Sequence, residues 1–166
     1  MKMKRIVARE IFDSRGMPTL LCEIFLEDGT CVTASVPSGQ SRGSREAFEL
    51  RDGGTRLMGC GVLKAIHNIE HIIGPAILDT IPDVVAVDAI MKDIDATSDK
   101  RNLGANAILA VSMAVCRAQA ALDQLLIQVR GGDFSGIKDI DSTLTALTKS
   151  NTDQYLENNQ QYAKGQ

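Results

Sequence analysis

RIVAREIFDSRGMPTLLCEIFLEDGTCVTASV, residues 5–36, is the stretch that decides the fold. Residues 5–12 alternate loosely between apolar and polar side chains, the period of a half-buried strand. Asp13, Ser14, Gly16 and Pro18 mark a turn over 13–18. Residues 19–27 and 30–36 are rich in β-branched and apolar side chains, and Asp28-Gly29 between them is a strong hairpin signal. The reading is a three-stranded antiparallel meander. Pro37 ends it, because proline has no N–H to offer a ladder.

The character of the chain then changes. Residues 38–61, SGQSRGSREAFELRDGGTRLMGCG, are rich in glycine, serine and alternating charge. A segment this long without a regular period predicts a functional or disordered loop, with one helical turn over Glu46–Leu50. From Val62 the period becomes helical. Val62, Leu63, Ile66, Ile69 and Ile73 fall on one face of a helix that Gly74-Pro75 should stop. Residues 83–94 repeat the pattern, with Asp83 as N-cap after Pro82. Residues 104–127 form the longest predicted helix. Its small residues Ala107, Ala110, Ala114 and Ala118 invite close packing. Strands first and helices later predict an α+β fold, a meander with a helical bundle on one face. This domain should span 1–132. Residues 133–166 read as a polar, mobile tail with a marginal helix around 139–148.

Composition bounds the function. The chain has 166 residues, 44% hydrophobic and 4% aromatic, so its core must be aliphatic. Eighteen basic against 21 acidic residues give a net charge of -3, which disfavours a nucleic-acid partner. No run approaches the roughly 18 apolar residues of a membrane span. The basic start is followed by Arg9, Glu10, Asp13 and Arg15 rather than an apolar signal core, so a cytoplasmic protein is expected. Cys22, Cys31, Cys60 and Cys116 form no C-x-x-C pair and read as free, buried or half-buried thiols.

The candidate chemistry lies in PSGQSRGSREAFELRD, residues 37–52. Small residues allow its backbone close to a ligand. Ser38, Ser41 and Ser44 supply hydroxyls, and Arg42 and Arg45 could meet an anion. There is no G-x-G-x-x-G and no Walker lysine, which disfavours a nucleotide fold. Glu46, Glu49 and Asp52 have the spacing of acid/base groups or metal ligands. Their interleaving with Arg45 and Arg51 reads instead as a surface ion-pair face. His67 and His71 have the i,i+4 spacing of a metal clamp but no evident third ligand, and read as a solvent-facing pair.

Taken together, AREIFDSRGMPT (8–19), VPSGQSRG (36–43), EAFELRDG (46–53), GCGVLKAI (59–66) and KRNLGANAILAVSMAVCRAQAA (100–121) resemble the amino-terminal domain of enolase, the phosphopyruvate hydratase of glycolysis. The resemblance runs from about Arg5 to about Gly132. It implies an α+β domain that caps a larger barrel, where Mg²⁺-dependent loss of water from 2-phosphoglycerate gives phosphoenolpyruvate. In the family the lysine base, the glutamate acid and three metal carboxylates all belong to the barrel. A barrel of that type needs roughly 200 residues or more. The chain therefore reads as a truncated, enolase-like protein, inactive alone and without catalytic residues or a tight Mg²⁺ site of its own.

The resemblance assigns a closing loop to Ser38, Gly39, Gln40, Ser41, Arg42 and Gly43, with Ser41 matching the serine that meets the second Mg²⁺. It assigns Arg9 to a dimer contact. Several positions depart from the family pattern. Gln40 stands for alanine, Arg42 for threonine, Met17 for asparagine, Leu21 for an acidic residue and Ala110 for glycine. The implied partners are an enolase-type barrel chain or a second copy. The alternative readings are a non-catalytic binding module using the barrel-docking surface, and a gene remnant without a role. Apolar residues around the long helix, with Leu125 and Leu126 at its carboxy-terminal half, are the expected docking patch.

Overall fold

In the computed structural model, residues 1–39, 43 and 46–129 are described, the last five by their backbone. β1 (Met3–Phe12), β2 (Pro18–Leu26) and β3 (Cys31–Val36) form one antiparallel sheet in the order β1-β2-β3. This is the expected meander. Met3 pairs with Leu26 and Arg5 with Phe25, so Lys4 is an extra residue in β1. The bulge flips the side-chain parity, which is why Met3, Ile6 and Ala8 all reach the core. β2 sends Leu20, Cys22, Ile24 and Leu26 to the same side, and β3 sends Val32, Ala34 and Val36.

α1 (Leu63–Asn68) continues through a wide turn, Ile69–Ile73, into α2 (Gly74–Ile77). The expected stop at Gly74-Pro75 is therefore corrected. Gly74 N–H bonds back five residues to the Ile69 carbonyl, and this widened turn absorbs the proline. Pro75 sits in the first turn of α2, where a missing N–H costs little. The buried face also differs from the expected one. Val62, Ala65, Ile69, Ile73 and Ile77 are buried, Ile66 is half-buried and Leu63 is exposed.

This helical run covers the outer edge of β1. The Glu70 carboxylate accepts Ala8 N–H at 3.0 Å. Residues 79–80 exchange two backbone hydrogen bonds with Met3. These bonds satisfy part of the edge that β1 would otherwise present. Gly74 permits the close approach, because a Cβ there would lie 2.8 Å from Ile6 Cγ2.

α3 (Val84–Asp95) begins as expected, with the Asp83 carboxylate accepting Val85 N–H at 3.0 Å and Ala86 N–H at 3.1 Å. α4 (Ala105–Val129) buries Ala107, Ala110, Val111, Ala114, Val115 and Ala118 completely. Over Ala105–Gln124 it is long and apolar enough to cross a bilayer, a property core helices share. Its buried small-residue stripe is that of a core helix. The body so built covers Met1–Leu122.

The four cysteines are free, and two of them correct the expectation. Cys22 is buried, which pushes its thiol up to about 12, and Cys60 is half-buried. Cys31 and Cys116 are exposed.

The connection from α3 to α4 is held by buried polar side chains. Asp95 is fully buried and accepts Leu103 N–H at 2.7 Å, Thr97 N–H at 3.1 Å and the Thr97 hydroxyl. Asn68 donates to the carbonyls of Asn102 at 3.1 Å and Leu103 at 2.9 Å. Asn102 donates to the Asp95 carbonyl at 2.8 Å. The connection ends at Gly104, whose φ of +94° is left-handed and whose Cβ, if present, would lie 2.5 Å from Leu50 Cβ. Gly104→Ala should therefore cost about 2–3 kcal/mol, from backbone strain plus overpacking. Urea unfolding checks this, and a variant within 0.5 kcal/mol (on the order of surface-change noise) of wild type would contradict it.

Candidate functional site

The candidate loop leaves the sheet at the end of β3 and returns to the body at α4. At its first end, Asp13 organises the β1–β2 turn. One carboxylate oxygen accepts the N–H groups of Arg15 and Met17, both at 2.9 Å. The other accepts the Ser38 hydroxyl at 2.5 Å. The Ser38 hydrogen bond, followed by that from Met17, holds the Asp13 carboxyl below the usual carboxylate range. Ser38 is buried, so the loop's first residues are tied to the β1–β2 turn at the same end of the sheet. The Thr19 hydroxyl donates to the Val36 carbonyl beside it.

At the second end the expected helical turn over Glu46–Leu50 is absent, and this segment has a bend at Glu46 and no regular structure after it. Its backbone bonds to the body instead of to itself. Phe48 N–H donates to the Asp99 carbonyl at 2.6 Å, and Ala105 N–H to the Phe48 carbonyl at 2.8 Å. The Asn106 side chain clasps Leu50, accepting its N–H and donating to its carbonyl, each at 3.0 Å. Between the two ends lies a cleft of about 160 Å³, lined by Val36, Pro37, Ala47 and Leu109 together with the polar Glu46, Glu49 and Asn106.

The acidic residues do not form the expected surface ion-pair face. Glu49 pairs with Arg51 at 2.6 Å, with both side chains less than a fifth exposed. Arg51 also donates to the carbonyls of Pro18 and Cys60, each at 2.6 Å. Asp52 caps α1 from eleven residues upstream, accepting Leu63 N–H at 3.0 Å and Lys64 N–H at 2.9 Å. Glu10 accepts Val62 N–H at 2.8 Å and pairs with Arg56. That Arg56 pairing holds the Glu10 carboxyl below its usual range, against the opposing effect of burial. Glu46, Glu49 and Asp52 looked interchangeable by spacing, but two of them are internal fasteners. Between Asp52 and α1, Leu57 and Met58 occupy left-handed backbone, and Met58 is 89% exposed.

Gly39 and Gly43 are exposed. Gln40, Ser41 and Arg42 lie outside the described residues, as do the side chains of Leu125 and Leu126 and the segment from 130 to 166. Arg9 pairs across the sheet with Glu23 at 2.7 Å. His67 and His71 are both exposed, as expected.

A magnesium ion, implied by the resemblance, needs several hard oxygen donors converging on one point. Among the described residues no group of three or more His, Cys, Asp or Glu converges in this way. Asp13, Asp52 and Glu10 spend their oxygens on Ser38, α1 and Arg56. The described residues do not fit a self-contained magnesium site. The polar groups at the loop's base are satisfied by one another and by nearby backbone.

The roles of Asp13, Asp52, Asn106 and Asp95 are not legible in the sequence. Each is an Asx side chain beside a loop, a class that bonds to backbone groups. Which backbone groups they meet lies up to 56 residues away in the chain.

The family described as "Enolase, N-terminal domain" matches residues 3–129. Enolase 2 of Lactiplantibacillus plantarum is 52% identical over 132 residues, covering 78% of this chain and 31% of that protein. Enolase of Mycoplasmoides gallisepticum is 46% identical over 144 residues, covering 81% of this chain and 30% of that protein. The chain thus spans about a third of the length of these relatives.

Proposed function

We propose, for a chain that belongs to the enolase N-terminal domain family, that it acts as the capping part of a phosphopyruvate hydratase. In this reading, residues 37–45 close over 2-phosphoglycerate held on a barrel supplied by another polypeptide. The chain by itself is inactive. The observation that carries the reading is the double anchorage of the loop, by Asp13–Ser38 at one end and by Phe48–Ala105 and Leu50–Asn106 at the other. Lids exclude water and complete a site only when their ends are held by a rigid scaffold. The 52% and 46% identity to two enolases over 132 and 144 residues supports it as well.

The test is reconstitution. The purified chain is mixed with a separately expressed barrel polypeptide from one of the two relatives, and phosphoenolpyruvate formation is followed at saturating Mg²⁺. The expected result is turnover that needs both polypeptides and falls by about 10²-fold or more with Ser41→Ala, the order of effect of one positioned catalytic contact. Failure to associate with, or to activate, either barrel would overturn the capping role.

A further inference from the structure

We propose that His67 and His71 form a two-imidazole chelate for a late first-row divalent cation, of the Ni²⁺, Cu²⁺ or Zn²⁺ class. His67 lies in the last turn of α1 and His71 in the wide turn that follows it. In a regular helix, positions four apart share a face but are offset around the axis. Here the two positions straddle the junction of α1 with the wide turn and its five-residue hydrogen bonds. Their ring centroids lie 4.6 Å apart, inclined at 44°. Both side chains are exposed, and neither imidazole makes a hydrogen bond or ion pair among the described residues. Their ring nitrogens are therefore open to an incoming ion without breaking any bond of the fold.

The surroundings suit a shallow, solvent-completed site. Glu70, between the two histidines, turns its carboxylate to Ala8 N–H, so water supplies the remaining ligands. Neutral imidazole selects Ni²⁺, Cu²⁺ and Zn²⁺ over Mg²⁺ and Ca²⁺, which prefer oxygen. The site is thus separate from the magnesium chemistry of the proposed function and does not depend on it.

The experiment is calorimetric titration of NiCl₂ into the full chain carrying Cys31→Ser and Cys116→Ser, so that exposed thiols do not compete. One ion per chain is expected. Losing one arm of a chelate removes its effective-concentration advantage, so His67→Gln or His71→Gln alone should weaken binding about tenfold or more. MgCl₂ at the same concentration should give no saturable heat. The chain has only two histidines, so its imidazole NMR signals are unambiguous. Both should broaden together as Ni²⁺ is added. Unchanged affinity in either single variant, or imidazole signals that stay sharp in the unsubstituted pair, would overturn the chelate.

Discussion

Purified from a host lacking its own enolase, the chain alone is expected to leave 2-phosphoglycerate unconverted at saturating Mg²⁺. Dehydration needs one group to take the carbon-bound proton and another to protonate the leaving hydroxyl. Each role contributes about 10²–10⁴ in rate, so loss of both removes about 10⁴–10⁸. The resemblance assigns both groups to the barrel, and among the described residues near the candidate loop four carboxylates are already engaged. Asp13, Glu10 and Asp52 are committed to Ser38, Arg56 and the start of α1, and Glu49 holds Arg51. His67 and His71 stand on the helical run at the edge of β1. Phosphoenolpyruvate formed in proportion to chain concentration, by protein free of host enzyme, would sink this expectation and the inactive-alone reading with it.

The largest effect on stability is expected at Asp95. Asp95→Ala strips the acceptors from Leu103 N–H, Thr97 N–H and the Thr97 hydroxyl at a fully buried site. Unsatisfied buried donors cost about 1–3 kcal/mol each when water cannot reach them, and partial relaxation brings the total to about 3–4 kcal/mol. That corresponds to roughly a 10 °C drop in Tm for a body of this size. Asp95→Asn should also destabilise, because its amide would present a donor where one of the carboxylate oxygens now accepts.

The pH dependence separates charge from shape. Burial pushes the Asp95 carboxyl up, but hydrogen bonds from Leu103 and Thr97 outweigh it and hold the group below its usual range. A lowered folded-state value means the charged form stabilises the fold above the unfolded carboxylate range. That stabilisation fades as pH falls through the folded value. Asp95→Asn should therefore flatten the acid limb of stability against pH, besides lowering the plateau. Wild-type thermal stability in Asp95→Asn at neutral pH would refute the role given to this carboxylate.

Sequence patterning alone determined the meander, the hairpin at Asp28-Gly29, the Asp83 cap and the small-residue stripe of α4. These are local matters, set by periods of two and 3.6, by turn chemistry and by a cap two or three residues from its donors. The strings at 8–19, 36–43, 46–53, 59–66 and 100–121 carry the family resemblance by themselves. Tertiary structure decided what local signals could not. Gly74-Pro75 reads as a stop, yet the helix passes through because the Ile69–Ile73 turn widens and Gly74 lets it press on Ile6. Glu46–Leu50 reads as a helical turn, yet its backbone finds better partners in Asp99, Ala105 and Asn106. Glu49 and Asp52 read as surface charge, yet one holds a half-buried arginine and the other caps a helix eleven residues on. Ile6 for Gly74, Asp99 and Asn106 for the 46–50 segment and Leu63 for Asp52 all lie eleven or more residues away, while Arg51, two residues from Glu49, is drawn in by the carbonyls of Pro18 and Cys60. A hydrogen-bonding group takes whichever partner the folded backbone brings within about 3 Å, and spacing along the sequence carries no record of that choice.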